Sequence, residues 1–211
     1  MEVGWNYDTS LKNKIAVLTG TAITTGVYVG SLVKKKKCSG SLLKKISNLE
    51  LGIKEGIGLC TASTIGGLAT GLIVDKPEHR KYKLKDTVNQ MIGNTLVPFG
   101  FLALSNKLTK KLPILWQTIS GIATLIATTF LGHSIANKVN EKIFKEESGY
   151  KCTGKDFYGD FDDFIFAAST VMNNKSLYKI TASLCTLTYM THGYLAGCRQ
   201  KDKEKKLDKI I

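Results

Sequence analysis

The chain has 211 residues, with 30 Lys+Arg against 17 Asp+Glu, a formal net charge of +13 and a mean hydropathy of −0.02. At 43% apolar residues it is too hydrophobic for a disordered chain, and its length suits a single domain over 1–211. Averages of this kind describe a basic soluble protein, but the apolar residues are segregated from the charges.

The first uncharged run covers residues 15–33, between Lys12 and Lys14 on one side and Lys34 to Lys37 on the other. It is longer than the ~7–15 residue core of a cleaved signal, and no small-x-small site precedes the four lysines, so it reads as a retained anchor. Gly26 and Gly30 lie four apart within it. The second run, 56–74, is closed by Asp75, Lys76 and Pro77 and contains Gly67 and Gly71; Gly52 and Gly56 form a similar pair at its start. Glycines four apart leave a helix face bare, so another backbone can approach closely. Runs one and two are therefore expected to pack on each other or on another copy.

The third run, 87–106, contains Gln90, Asn94 and Pro98. Pro98 removes a backbone donor and crowds the carbonyl of Asn94, so a kink is expected, with two amides on one helical face beside it. The fourth run, 112–137, carries Gln117 and His133. An acidic stretch follows, with Asp160, Asp162 and Asp163, read as a solvated helix start. The apolar segment 164–172 is too short to span. The fifth run, 180–198, carries His192, and a basic tail covers 199–211.

A helix needs about 20 residues to cross a ~30 Å hydrocarbon core. The predicted fold is accordingly all-α: a polytopic transmembrane helical bundle of about five spans, plus one short re-entrant or interfacial segment. The competing reading is a soluble helical protein, because the runs are rich in Thr, Ser and Gly; bracketing by lysine favours the membrane. Five spans from an outside N-terminus would place the Lys34–Lys54 loop and the C-terminal tail together inside. The loop from Lys76 to Lys85 then falls on the wrong side for its charge.

Five cysteines, Cys38, Cys60, Cys152, Cys185 and Cys198, form neither a disulfide framework nor a zinc motif. Trp5, Tyr7, Trp116 and Tyr178 sit near span ends, as interfacial anchors do. No phosphate-binding loop, dinucleotide fingerprint, zinc-protease motif or nucleophile elbow occurs, so no enzyme activity, cofactor or metal is expected. The lysines flank spans without a nucleic-acid recognition motif, which points to anionic lipid headgroups in a plasma or inner membrane rather than to nucleic acid.

The leading expectation is a small permeation or transport module with Gln90, Asn94 and Pro98 at a polar break. His133, His192 and Gln117 are further intramembrane polar candidates. Matching breaks at 87–106 and 164–172 would resemble the paired interrupted segments of transporters. The alternative is a membrane scaffold or assembly subunit that binds a partner through its glycine faces. An enzyme built on the outer aspartates and His192 is a third, weaker expectation.

Overall fold

The computed structural model describes residues 7, 10–49, 51–146, 163, 166 and 175–200, and these form helices and turns with one isolated bridge between Tyr7 and Arg199. Helix α1 (Leu11–Lys35) is followed by the short α2 (Leu42–Ser47) and by α3 (Ile53–Val74). A 3-10 turn (Pro77–His79) leads into α4 (Arg80–Val88), a π-helical segment (Asn89–Leu96) and α5 (Val97–Thr109) without a break. Then come α6 (Ile114–Phe144) and α7 (Lys175–Cys198).

Local chemistry sets several of these limits. Lys34 and Lys35 occupy the last turn of α1, where they complement the negative end of the helix dipole. The Gly52 N–H at the start of α3 donates to the Glu55 carboxylate at 3.1 Å, which satisfies a donor the helix cannot. α6 begins after Pro113 and ends at Lys145 in a left-handed conformation.

Three helices, α1, α3 and α6, are long and apolar enough to cross a membrane. Five had been expected. The third run is divided among α4, the π segment and α5, and the fifth lies in α7, where Thr, Tyr and His192 lower the hydropathy. The fourth run is longer than expected. At 31 residues and 1.5 Å per residue, α6 reaches about 46 Å, so Lys138 to Phe144 continue the helix beyond a bilayer core of ~30 Å. Of the 164–172 segment, only Phe166 is among the described residues.

Contacts between the helices fix their directions. α1 and α3 are antiparallel, with Tyr28 beside Gly58, Thr24 beside Gly66 and Gly20 beside Thr70. α3 and α7 run the same way, with Gly67 against Gly193 and Gly71 against Gly197. α5 and α6 form an antiparallel hairpin, with Ser105 Oγ 3.0 Å from Ser120 Oγ. Lys81 and Lys85 of α4 both pair with Glu146 beyond the end of α6. The bundle therefore has an Arg199 end, which also holds Ser10, Asp75, α4 and Glu146, and an opposite Lys36 end with α2, Gly52 and Lys110.

This geometry corrects the expected orientation. α6 and α7 both run in the direction of α3, so the chain leaves Glu146 at one end and reaches Lys175 at the other. Tyr7 and Arg199 are bridged, with the guanidinium 5.9 Å from the ring centroid. The Lys34–Lys54 loop and the C-terminal tail, expected on one side, leave from opposite ends. The Lys76–Lys85 loop lies at the same end as Arg199, so the basic loops on either side of α3, Lys34–Lys54 and Lys76–Lys85, still face opposite ends of the bundle.

The glycine faces are redistributed too. α3 meets α7 through Gly67 and Gly71 on one side and Gly193 and Gly197 on the other. A Cβ on Gly67 would stand 1.8 Å from the Gly193 carbonyl oxygen, and one on Gly71 would stand 2.2 Å from that of Gly197. Ser63 seals this contact: its Oγ donates to the Tyr189 carbonyl at 2.6 Å and accepts from the Gly193 N–H at 3.1 Å. α1 does pack on α3, as expected, but through Gly20, Gly58 and Gly66. Gly26 and Gly30 are exposed, and a Cβ there would meet nothing within 4 Å. Gly56 lies against the Phe166 ring, so the Gly52/Gly56 pair forms no helix–helix seam.

Candidate functional site

The π segment concentrates buried polar groups. Its register is visible at its end, where the Val97 N–H bonds the Ile92 carbonyl five residues back. Pro98, next in that register, has no N–H to offer. In the register of that bond Pro98 falls opposite Gly93, whereas an α-helical kink would put it opposite Asn94. That register matters for packing. The Gly93 carbonyl oxygen would be 2.5 Å from a Cβ on Gly132 of α6, and a Cβ on Gly93 would be 2.5 Å from His133 Nδ1. The broken helix thus presses its altered turn against α6, with buried His133 alongside.

The two predicted amides meet: Asn94 Nδ2 donates to Gln90 Oε1 at 3.2 Å, and Thr95 Oγ1 donates to the Gln90 carbonyl at 3.1 Å. Gln90, Thr95 and Pro98 are buried. A second amide pair, which the sequence reading missed, lies nearer the Arg199 end. Asn140 Nδ2 donates to Asn89 Oδ1 and to the Lys85 carbonyl, both at 3.1 Å. Asn140 is 1% exposed. Its Oδ1 and that of Asn94 are buried with no hydrogen-bond donor. Such acceptors are costly in an apolar interior and suit a donor such as water, a hydroxyl or a small polar solute.

A different face of α4 carries an ion pair. Lys83 is fully buried, its Nζ 2.9 Å from Asp75 Oδ2 and donating also to the Gly197 carbonyl at the end of α7. Burial alone would raise the Asp75 pKa; hydrogen bonds from Lys83 and the Lys76 backbone, with the charges of Lys83 and His79, outweigh it and hold the carboxyl below its ordinary value. At the surface, hydrogen bonds from Lys81 and Lys85 lower the Glu146 carboxyl to about 2.

Between the broken helix and α7 lies an aromatic cluster. The Phe99 centroid is 5.4 Å from that of Phe166 and 6.3 Å from that of Tyr189, and Tyr189 meets His192 edge-on at 5.8 Å. Asp163, expected in a solvated loop, is instead buried here and accepts a hydrogen bond from Tyr189 Oη at 2.9 Å. Asp160 and Asp162 lie outside the described residues.

The expected site residues therefore separate. Gln90, Asn94, Pro98 and His133 gather at the π segment and its contact with α6. His192 belongs to the aromatic cluster. Gln117 lies apart from both groups: its amide donates to the Leu112 carbonyl at 2.7 Å and closes the α5–α6 turn. Cys60, Cys185 and Cys198 are buried, as small apolar groups would be, and form no disulfide among the described residues; Cys152 lies outside them.

Asn140, seven residues after His133 and so two turns along the same face, was readable in principle; Lys138 had been taken as the end of the span. Gly193 and Gly197 repeat the four-residue spacing seen elsewhere and were equally readable. Nothing in the sequence pairs Lys83 with Asp75 and Gly197. Comparison of the chain with known protein families, characterised proteins and solved structures finds no match.

Proposed function

We propose that the chain is a multi-pass membrane protein that passes a small polar solute, water or protons along the polar seam of its broken helix. The observation that carries this reading is a set of buried amide oxygens without donors, on Asn94 and Asn140 beside the Gly93–His133 contact and on Asn106 further along α5. Buried polar groups facing a helix contact in a membrane mark transport paths more readily than fold-stabilising sites. The lipid-facing surface is supplied by exposed side chains such as Ile23, Val27, Ile73, Phe101, Ile126 and Phe130. α7 and the composite helix complete the span set beside the three apolar helices, in a plasma or inner membrane. Chemistry on a bound substrate forms no part of this reading.

The test is flux in proteoliposomes: osmotic shrinkage for water and urea, and an internal pH dye for protons. Wild type accelerates at least one flux, and Asn94→Leu or Asn140→Leu abolishes it while far-ultraviolet circular dichroism shows the helices still folded. Wild-type vesicles no more permeable than empty ones would sink the proposal. A second reading, a scaffold subunit, is favoured by one feature. Gly26 and Gly30 remain open on α1, whereas Gly67 and Gly71 are occupied within the chain. Under that reading Gly26→Leu disrupts a co-purifying complex.

A further inference from the structure

The Lys36 end of the bundle carries a projection that the transport reading does not use. The α5–α6 hairpin turns at residues 110–113, and the turn is fixed: the Leu112 N–H donates to the Thr109 carbonyl at 2.8 Å and Gln117 Nε2 to the Leu112 carbonyl at 2.7 Å. Around this rigid turn, large apolar side chains point outward. Leu108 is 74% exposed, Leu115 66% and Trp116 58%. Lys107, Lys110 and Lys111 are interleaved with them and are exposed. None of the three lysines forms an ion pair among the described residues.

Apolar and cationic side chains side by side on an exposed tip suit neither water nor hydrocarbon alone. They suit the boundary between them, where Trp and Leu enter the acyl region and lysines reach phosphates. The charge of the tip selects the lipid. Unpaired lysines gain most from headgroups with net negative charge, and that attraction decays within a Debye length of the surface.

We propose that the α5–α6 tip is an anionic-phospholipid contact, with Leu108, Leu115 and Trp116 inserted at the headgroup boundary and Lys107, Lys110 and Lys111 holding the charged headgroups. This rests on the membrane reading above but not on transport. Trp5 and Trp116 are the only tryptophans. Trp5→Phe therefore leaves Trp116 as the single reporter in the full chain.

The experiment reconstitutes Trp5→Phe in phosphatidylcholine vesicles containing either brominated phosphatidylglycerol or brominated phosphatidylcholine, and reads quenching of Trp116. The expected result is quenching by both, with about a fivefold preference for phosphatidylglycerol, the scale of one lysine–headgroup contact. Lys107→Gln, Lys110→Gln and Lys111→Gln combined should abolish the preference and keep the quenching by phosphatidylcholine, which also reports that the tip is still seated. Equal quenching by the two lipids overturns the lipid contact and leaves the membrane reading standing. Quenching by neither overturns both. A preference that survives the triple substitution overturns the assignment to these lysines.

Discussion

Replacing Gly67 with alanine puts a single methyl group into the tightest contact of the bundle. Its Cβ would lie 1.8 Å from the Gly193 carbonyl oxygen, 2.3 Å from the carbon and 2.8 Å from Cα. Ordinary contact begins at 3.4 Å, so α3 and α7 must part locally by about 1.6 Å, and all three atoms met are backbone. Overpacking of this kind costs about 1–3 kcal/mol. Separation also stretches the two hydrogen bonds of Ser63 across the same interface. Alanine returns ~0.5–1 kcal/mol of helix propensity, leaving a net loss of roughly 1–2 kcal/mol. Gly26→Ala is the internal control. It gains the same propensity and meets nothing within 4 Å, so it should be neutral or stabilising by up to ~1 kcal/mol. Unfolding in mixed micelles, followed by far-ultraviolet circular dichroism, measures both. A Gly67→Ala protein as stable as wild type, or a Gly26→Ala protein as damaged as Gly67→Ala, would refute the assignment of which glycines carry the packing.

Other changes probe the remaining contacts. Lys83→Met leaves Asp75 buried without its cation and should cost ~3–5 kcal/mol, most of it recovered when Asp75→Asn is added; equal instability of single and double variants would contradict the pairing. Gln117→Ala removes the side-chain bond that closes the α5–α6 turn and should cost about 1 kcal/mol, read as faster amide exchange in residues 112–117. Because the folded Glu146 carboxyl sits at about 2 against an ordinary 4.5, its clamp on Lys81 and Lys85 is complete above pH 4.5 and is lost as the pH falls towards 2. Acid titration of the Glu146 carboxyl by NMR should show that low midpoint, and Lys81→Ala with Lys85→Ala should return it to the ordinary range.

The helical character and the polar break were legible because they depend on local chemistry. Runs without charge between lysines specify long apolar helices, and Pro98 marks where one must be irregular. Gln90 and Asn94, four apart, were correctly placed on one face. What could not be read was long-range register. Gly26/Gly30 and Gly67/Gly71 have the same spacing, and only the neighbour across the contact tells an occupied face from an open one. The same holds for Asp163: its sequence neighbours are acidic and polar, but Tyr189, distant in the chain, takes it into the core. The expected topology failed for a related reason. Charge counts assign sides to loops on the assumption that successive runs alternate in direction, and α6 and α7 share one direction.

Placement of Ser10 and Gln200 at the same end of the bundle is the central structural claim, and single-cysteine labelling in oriented proteoliposomes tests it directly. In a background with the five native cysteines replaced, cysteines at Ser10, Glu78 and Gln200 should react with an impermeant maleimide from one side only. Cysteines at Ser39 and Lys110 should react only from the other. Labelling of positions 10 and 200 from opposite sides, or of all five from one side, would contradict the bundle described above.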